Sequence, residues 1–303
     1  MPSPRTGTFM RLPHFERVDA RSIEEACAIL AARGAQAIAL AGGTDLLVKM
    51  KQRKVVPRCV VSLKGIRDLD YIRYDDTHGL QIGALATIQA LKNSNTVKRR
   101  CSVLAQAAAA EASVQIRNIA TIGGNIANAS PAADAPLALL AAQASVIVAG
   151  LDGERTIPLE KFFTAPGRTG LRLGELVKEV RVPPARPRTG AAYIKHALRR
   201  TDIAIVSTAV TLTVFDGVCA SVRIGLGSVA PTPLRARKAE GILTGQEITD
   251  QLIEEAAEVA AKEASPISDI RGGAEYRLDM IRVLCRRAAR AALARAQGKQ
   301  VEV

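Results

Sequence analysis

The sequence predicts an α+β protein: two N-terminal subdomains, residues 1–64 and 65–183, followed by a C-terminal α+β domain over 189–303. Three observations carry this. The first sixty residues alternate helix, strand, glycine turn, helix, strand, the pattern of a small α/β unit. From residue 71 the pattern shifts to paired strands and alanine-rich helices. Then Val182-Pro183-Pro184-Ala185-Arg186-Pro187 places three prolines in five residues, and such a run continues neither a helix nor a central strand.

The elements follow in order. Ser22 is placed to cap a helix that runs through Ile23, Ala26, Cys27 and Leu30, and Gly34 ends it. Residues 36–41 read as a short buried strand, 46–51 as a short helix and 58–63 as a Val-rich strand. Residues 71–74 and 80–85 read as strands joined by the polar turn 75–79. Thr87 starts a helix, and 97–112 reads as a second helical run. Residues 117–130 form a stretch rich in Gly and Asn, without a regular pattern. Next come a helix over 135–142 and strands over 144–149 and 176–182. Beyond the prolines, 191–198, 203–215 and 219–225 read as strands or strand plus helix, with Asp216-Gly217 as a hairpin turn. Helices over 233–243, 250–264 and 274–296 complete the chain.

The 303 residues are 48% hydrophobic, enough for sizeable cores, and no segment approaches the ~20 continuous apolar residues that span a bilayer. Residues 1–11 carry charge and proline without an apolar h-region, so no secretory signal is expected and the cytoplasm is the expected compartment. The five cysteines, Cys27, Cys59, Cys101, Cys219 and Cys285, are scattered, which gives no zinc or iron–sulfur ligand spacing and no disulfide framework. His14, His78 and His196 stand too far apart in sequence to suggest a metal triad. The net charge of +13 raises nucleic-acid binding, but aromatics at 3% and no Trp leave little to stack on bases. An acidic partner surface or an arginine-rich solvated face fits the charge better. Arg282, Arg286 and Arg290 form one such basic stripe at i, i+4, i+8.

Two glycine motifs carry the chemistry. Ala41-Gly42-Gly43-Thr44-Asp45, leading into Leu46, sits between a strand and a helix. Glycines let such a turn take positive φ and approach a ligand, and successive amides form an anion site to which Thr44 adds a hydroxyl. Thr121-Ile122-Gly123-Gly124-Asn125 reads as a second loop of the same kind, with Asn125 and Asn128 adding side-chain donors and acceptors. Ser130 and Asp134 follow across a proline turn, and Asp134 is also placed to cap the next helix. Each motif alone is equally an ordinary turn. Together they suit one diphosphate held from two sides.

The segments 41–47 (Ala-Gly-Gly-Thr-Asp-Leu-Leu) and 115–134 (Gln-Ile-Arg-Asn-Ile-Ala-Thr-Ile-Gly-Gly-Asn-Ile-Ala-Asn-Ala-Ser-Pro-Ala-Ala-Asp) resemble the two FAD signatures of the medium subunit of carbon monoxide dehydrogenase and xanthine dehydrogenase-type molybdenum hydroxylases. Segments 193–204, 230–236 and 271–277 resemble further stretches of that family, so the likeness runs in order along nearly the whole chain. It implies a two-subdomain FAD-binding fold of the vanillyl-alcohol oxidase (PCMH) type plus the C-terminal α+β domain. It further implies non-covalent FAD, with the amides of 41–45 and 121–125 around the pyrophosphate and Ser130 and Asp134 toward the ribityl and pyrophosphate region. Lys195, Asp202 and Lys238 are implied to approach the flavin ring or its phosphates; each is otherwise a surface ion-pair partner. The implied partners are a small subunit with two [2Fe–2S] clusters and a large subunit with a molybdenum cofactor, in a dimer of heterotrimers. Electrons would pass from molybdenum through the clusters to FAD and on to an acceptor such as NAD or a quinone, with no catalytic acid or base on this chain. A subgroup with an extra iron–sulfur cluster in this subunit needs clustered cysteines after the second motif, which this chain lacks. The rival function is an autonomous flavin-dependent oxidase or dehydrogenase, for which the C-terminal ~115 residues are few by ordinary domain size.

Overall fold

The computed structural model describes residues 11–301; residues 1–10, most of the segment on which the signal expectation rested, lie outside the described residues. The first strand, β1 (Glu16–Asp19), is absent from the sequence expectations because its residues Glu-Arg-Val-Asp carry three charges and no apolar alternation. Helix α1 (Ile23–Arg33) starts and stops where expected. Ser22 Oγ accepts the Glu25 N–H at 3.1 Å, and Gly34 ends the helix at φ +58°. Strand β2 (Ala37–Leu40), helix α2 (Leu46–Lys51) and strand β3 (Cys59–Ser62) follow, and the three strands form a parallel sheet in the order β1-β3-β2. The glycine turn 41–45 thus leaves the end of an edge strand, where a ligand meets no neighbouring strand.

A second, antiparallel sheet has the order β4-β5-β10-β6-β7. Strands β4 (Ile72–Asp75) and β5 (Gly79–Gly83) form the expected hairpin. Helix α3 (Ile88–Asn93) is capped by Thr87, whose Oγ1 accepts the Ala90 N–H. The single helix expected over 97–112 is two, α4 (Asn95–Arg100) and α5 (Ser102–Ala110). Lys98, Arg99 and Arg100 fill the last turn of α4, where cations suit the carbonyl end of a helix, and buried Cys101 turns the chain at φ −151°. The stretch 117–130 is also more regular than its composition suggests: α6 (Val114–Arg117) is followed by α7 (Ile122–Asn128). Then come α8 (Asp134–Ala141), β6 (Ser145–Gly150), β7 (Gly153–Pro158), the short hairpin β8 (Phe163–Ala165) and β9 (Arg168–Thr169), and β10 (Leu176–Val182).

The prolines lead from β10 into a third, antiparallel sheet: β11 (Thr189–His196), β12 (Val206–Phe215), β13 (Val218–Gly227) and β14 (Leu234–Arg235), paired in that order. Asp216 and Gly217 both take positive φ, +49° and +84°, as a two-residue hairpin twisted with its strands requires. The start of the helix expected over 233–243 is β14 instead, because Pro233 favours extended backbone and Leu234 pairs across to Leu226. The helix proper is α9 (Arg237–Leu243), followed by α10 (Asp250–Glu263) and α11 (Ala274–Ala296).

This sheet is covered on both faces. Helices α9 and α11 pack on one side, with α10 laid against both, and Ile224, Ile253, Ile281 and Leu284 share their core. On the other side α5 and α8 bring Leu104 and Leu137, which share a core with β5, β6 and β10. All eight residues of α8 are buried. Added Cβ atoms at Gly225 and Gly227 of β13 would each fall 2.9 Å from the Leu137 side chain, so glycine there lets α8 lie directly on the strand. Arg277 of α11 is fully buried; it donates to the carbonyls of Ile205 (3.0 Å) and Ser228 (2.8 Å) and pairs with Asp269 at 2.7 Å, tying three loops together.

The basic stripe on α11 has partners within the chain. Arg282, Arg286 and Arg290 pair with Glu258, Glu254 and Asp250 of α10 at 2.7–2.8 Å. These residues are part-exposed, so Arg286→Ala is expected to cost about 0.2–1 kcal/mol in denaturant unfolding, less at high salt; a loss several times larger would show the pairs to be desolvated. All five cysteines are free and buried. No helix among the described residues is long and apolar enough to cross a membrane.

Candidate functional site

A cavity of about 710 Å³ opens between the parallel sheet, α7 and the loop after β11. Its size is ordinary for a cofactor site. A second concavity of about 840 Å³ lies among Arg99, Arg100, Arg186 and Arg188 and carries neither glycine motif. The smaller cavity is lined by Ala41, Gly42, Gly43, Thr44, Asp45 and Leu46 from the first motif, Thr121, Gly123, Gly124 and Asn125 from the second, and Ser130, Asp134, Lys195 and Asp202. Ile122 sits behind this wall, fully buried. Lys238 does not reach it: it is exposed on α9, where its backbone N–H meets Glu263 at 3.1 Å.

The two motifs touch. An added Cβ at Gly42 would fall 2.2 Å from the Ile119 carbonyl oxygen, so only glycine lets the first turn lie against the backbone leading into the second. Gly43 takes φ +82°, which re-aims the turn. As a result no amide from Gly42 to Leu46 donates to an acceptor among the described residues. Such a run of free donors facing a cavity is an anion cradle. It fits a diphosphate.

The second motif works differently from the expectation. Thr121 caps α7, and Gly123-Gly124 form its first turn instead of a loop. Four of its five amides are already committed: Ile122 donates to Ala86 O (3.0 Å), Gly123 to Ala84 O (2.9 Å), Gly124 to Thr121 Oγ1 (3.2 Å) and Asn125 to Thr121 O (2.9 Å). The glycines serve close packing here; a Cβ at Gly123 would fall 2.6 Å from that of Ala84. This segment therefore offers mainly shape and side chains to a ligand, and the run of amide donors comes from the first. Asn128 bolts the halves together, accepting from Lys49 Nζ at 2.5 Å and donating to Asp45 Oδ1 at 3.0 Å.

At the deep end, Asp134 is no helix cap. Its Oδ1 accepts from Tyr193 OH and its Oδ2 from Lys195 Nζ at 2.8 Å, with both charged side chains under a tenth exposed. Lys195 is thus a buried ion-pair partner on the cavity wall, and also donates to the Ala110 carbonyl at 3.1 Å. Burial pushes the Asp134 carboxyl above its usual range, against the pull of Lys195. Beside them lies Glu111, which stands outside both glycine motifs. Burial and then the Asp134 charge push its carboxyl up to about 8. Its one signal in sequence is an acid closing the alanine run 107–110. No cluster of His, Cys, Asp and Glu able to hold a metal occurs among the described residues.

Residues 13–185 match the family model for the FAD binding domain in molybdopterin dehydrogenase, and 191–292 match that for the CO dehydrogenase flavoprotein C-terminal domain. The chain belongs to this family. It is similar to the carbon monoxide dehydrogenase medium chain of Hydrogenophaga pseudoflava, with 36% identity over 93% of this chain and 98% of that one. The xanthine dehydrogenase FAD-binding subunit of Escherichia coli O157:H7 is 31% identical over 89% and 93%. Among solved structures, carbon monoxide dehydrogenase from H. pseudoflava lacking the Mo-pyranopterin moiety superposes with TM-score 0.92 at 37% identity, covering 94% of this chain and 99% of that chain. Quinoline 2-oxidoreductase from Pseudomonas putida 86 gives 0.88 at 30%, covering 95% and 99%. As a molybdopterin-dehydrogenase flavoprotein, the chain is an FAD-binding oxidoreductase subunit.

Proposed function

We propose that this subunit holds a single FAD non-covalently in the cavity between its two glycine motifs and passes electrons between [2Fe–2S] clusters of a small partner subunit and an external acceptor or donor. A large partner subunit carries the molybdenum cofactor and transforms the substrate, and the assembly is a dimer of heterotrimers in the cytoplasm. The observation that carries this reading is the row of free amides from Gly42 to Leu46 facing the cavity.

FAD exchanges single electrons with clusters and pairs with an acceptor, which is what a relay between the two needs. The chain's own residues bind and orient it. The amides of Gly42–Leu46 and the Thr44 hydroxyl hold the diphosphate. Ser130, Asp134 and Lys195 border the ribityl region, and Asp202 lies at the mouth. Asp134 and Lys195 neutralise each other, so the deep wall presents hydrogen-bonding atoms with little net charge.

Native purification tests this. The expected preparation is yellow, releases FAD on denaturation, contains molybdenum and iron, and holds two further chains. Flavin-free protein overturns the cofactor assignment, and substrate turnover by this chain alone overturns the relay.

A further inference from the structure

Glu111 belongs to no glycine motif, yet it sits at the centre of the polar wall. Its side chain meets the cavity at the junction of α5 and α7 and is 92% buried by its 8% exposure. Asn125 Nδ2 donates to its Oε1 at 2.7 Å. The two atoms left without a partner are Glu111 Oε2 and Asn125 Oδ1, the second oxygens of the same two groups. Both are acceptors when the carboxyl is ionised. A proton on Oε2 supplies the missing donor and makes a carboxylic acid–amide pair with both groups satisfied.

The charges around it leave no unpaired cation for an ionised Glu111, although Lys195 draws its pKa down in part. Lys195 on β11 is taken by Asp134 of α8 at 2.8 Å. Arg117 of α6 points its guanidinium at the carbonyls of Glu111 and Ala112 and at Gln89 Oε1. Asp45 of the first motif and Asp134 add negative potential, and the Tyr193 phenol stays neutral because burial raises its pKa. A buried carboxylate so placed is costly, and a neutral acid is not.

We propose that Glu111 is a positioning residue for the cofactor: as a neutral carboxylic acid it fixes the amide of Asn125 on the flavin-site wall, and its ionisation weakens FAD binding. This rests on the FAD reading above. FAD brings a diphosphate and excludes water from the cavity, and both effects oppose a second negative charge nearby. By linkage, the ligand that favours the protonated form binds at constant strength while Glu111 is already protonated, and more weakly once pH passes its value of about 8 in the free chain.

The test is fluorescence titration of the flavin-stripped full chain with FAD from pH 6.5 to 9.5. Wild-type Kd is expected to stay level to about pH 8 and then rise by up to about tenfold per unit. Glu111→Gln keeps an acceptor for Asn125 but has no proton to lose; its Kd should stay level across the whole pH range. Glu111→Met should also be level, but about tenfold weaker at pH 7, because the Asn125 amide loses its partner. A wild-type curve level to pH 9.5 overturns the proposal without need of any variant. So does a Glu111→Gln curve that rises like wild type, or Glu111→Met binding as tightly as wild type at pH 7. Absence of FAD binding at every pH removes the cofactor reading itself.

Discussion

Gly42→Ala is expected to give a folded chain that no longer retains FAD. The added methyl would fall 2.2 Å from the carbonyl oxygen of Ile119. That carbonyl cannot simply retreat, because Ala120 O is held by the Ile88 N–H at 2.9 Å and the Ile119 N–H by Ile116 O at 3.0 Å. The first turn must therefore move away from the second motif, taking its row of amides with it. Loss of two charge-assisted bonds to a diphosphate, at about 1.5–3 kcal/mol each, weakens FAD by roughly a hundredfold or more. The flavin-to-protein ratio after gel filtration reads the loss, and an unchanged circular dichroism spectrum separates it from unfolding. If Gly42→Ala keeps wild-type flavin content, the turn is not the clamp.

Lys195→Met should be the most destabilising single change at the site. It leaves Asp134 buried, facing Glu111, with only the Tyr193 hydroxyl. Breaking a buried pair by removing one partner costs about 3–5 kcal/mol. Such a loss would be evident in urea unfolding. The cost should shrink on acidification. The carboxyl's folded-state pKa is raised above its unfolded value, so the folded chain takes the proton first, and the penalty vanishes below the unfolded pKa of ~3.9. Removing both charges in Lys195→Met/Asp134→Leu should recover much of the stability. A Lys195→Met cost under about 1 kcal/mol would mark the pair as no better than an exposed one.

The parts readable from sequence were those with local signals. Ser22 and Gly34 bracket α1, and Asp216-Gly217 places the β12–β13 hairpin, because caps and turns depend on a few adjacent residues. The glycine motifs were legible as places of close approach, yet their division of labour was not. Gly42 and Gly123 both avoid a clash, but with Ile119 and Ala84, residues whose positions only the folded chain supplies. The helical state of 122–128 was hidden for the same reason, since glycine and asparagine disfavour helix locally and tertiary packing overrides them. Charges behaved likewise. Arg282, Arg286 and Arg290 gave a visible stripe, but the acids opposite them lie 24 to 40 residues away. Glu111 was invisible because burial, the property that gives it a role, is not written in a lone acid after alanines.

The placement of α8 has a consequence for how damage spreads. With all eight of its residues buried, and β13 pressed on it through Gly225 and Gly227, it is a keystone shared by the flavin site and the last sheet. Asp134, which borders the cavity, is the first residue of that keystone. A cut in the proline run at 183–187 would bare Leu137 and its neighbours, so neither piece could inherit a complete core. Lesions as remote as α11 would then register as flavin loss, and a yellow colour would report on the integrity of the whole chain.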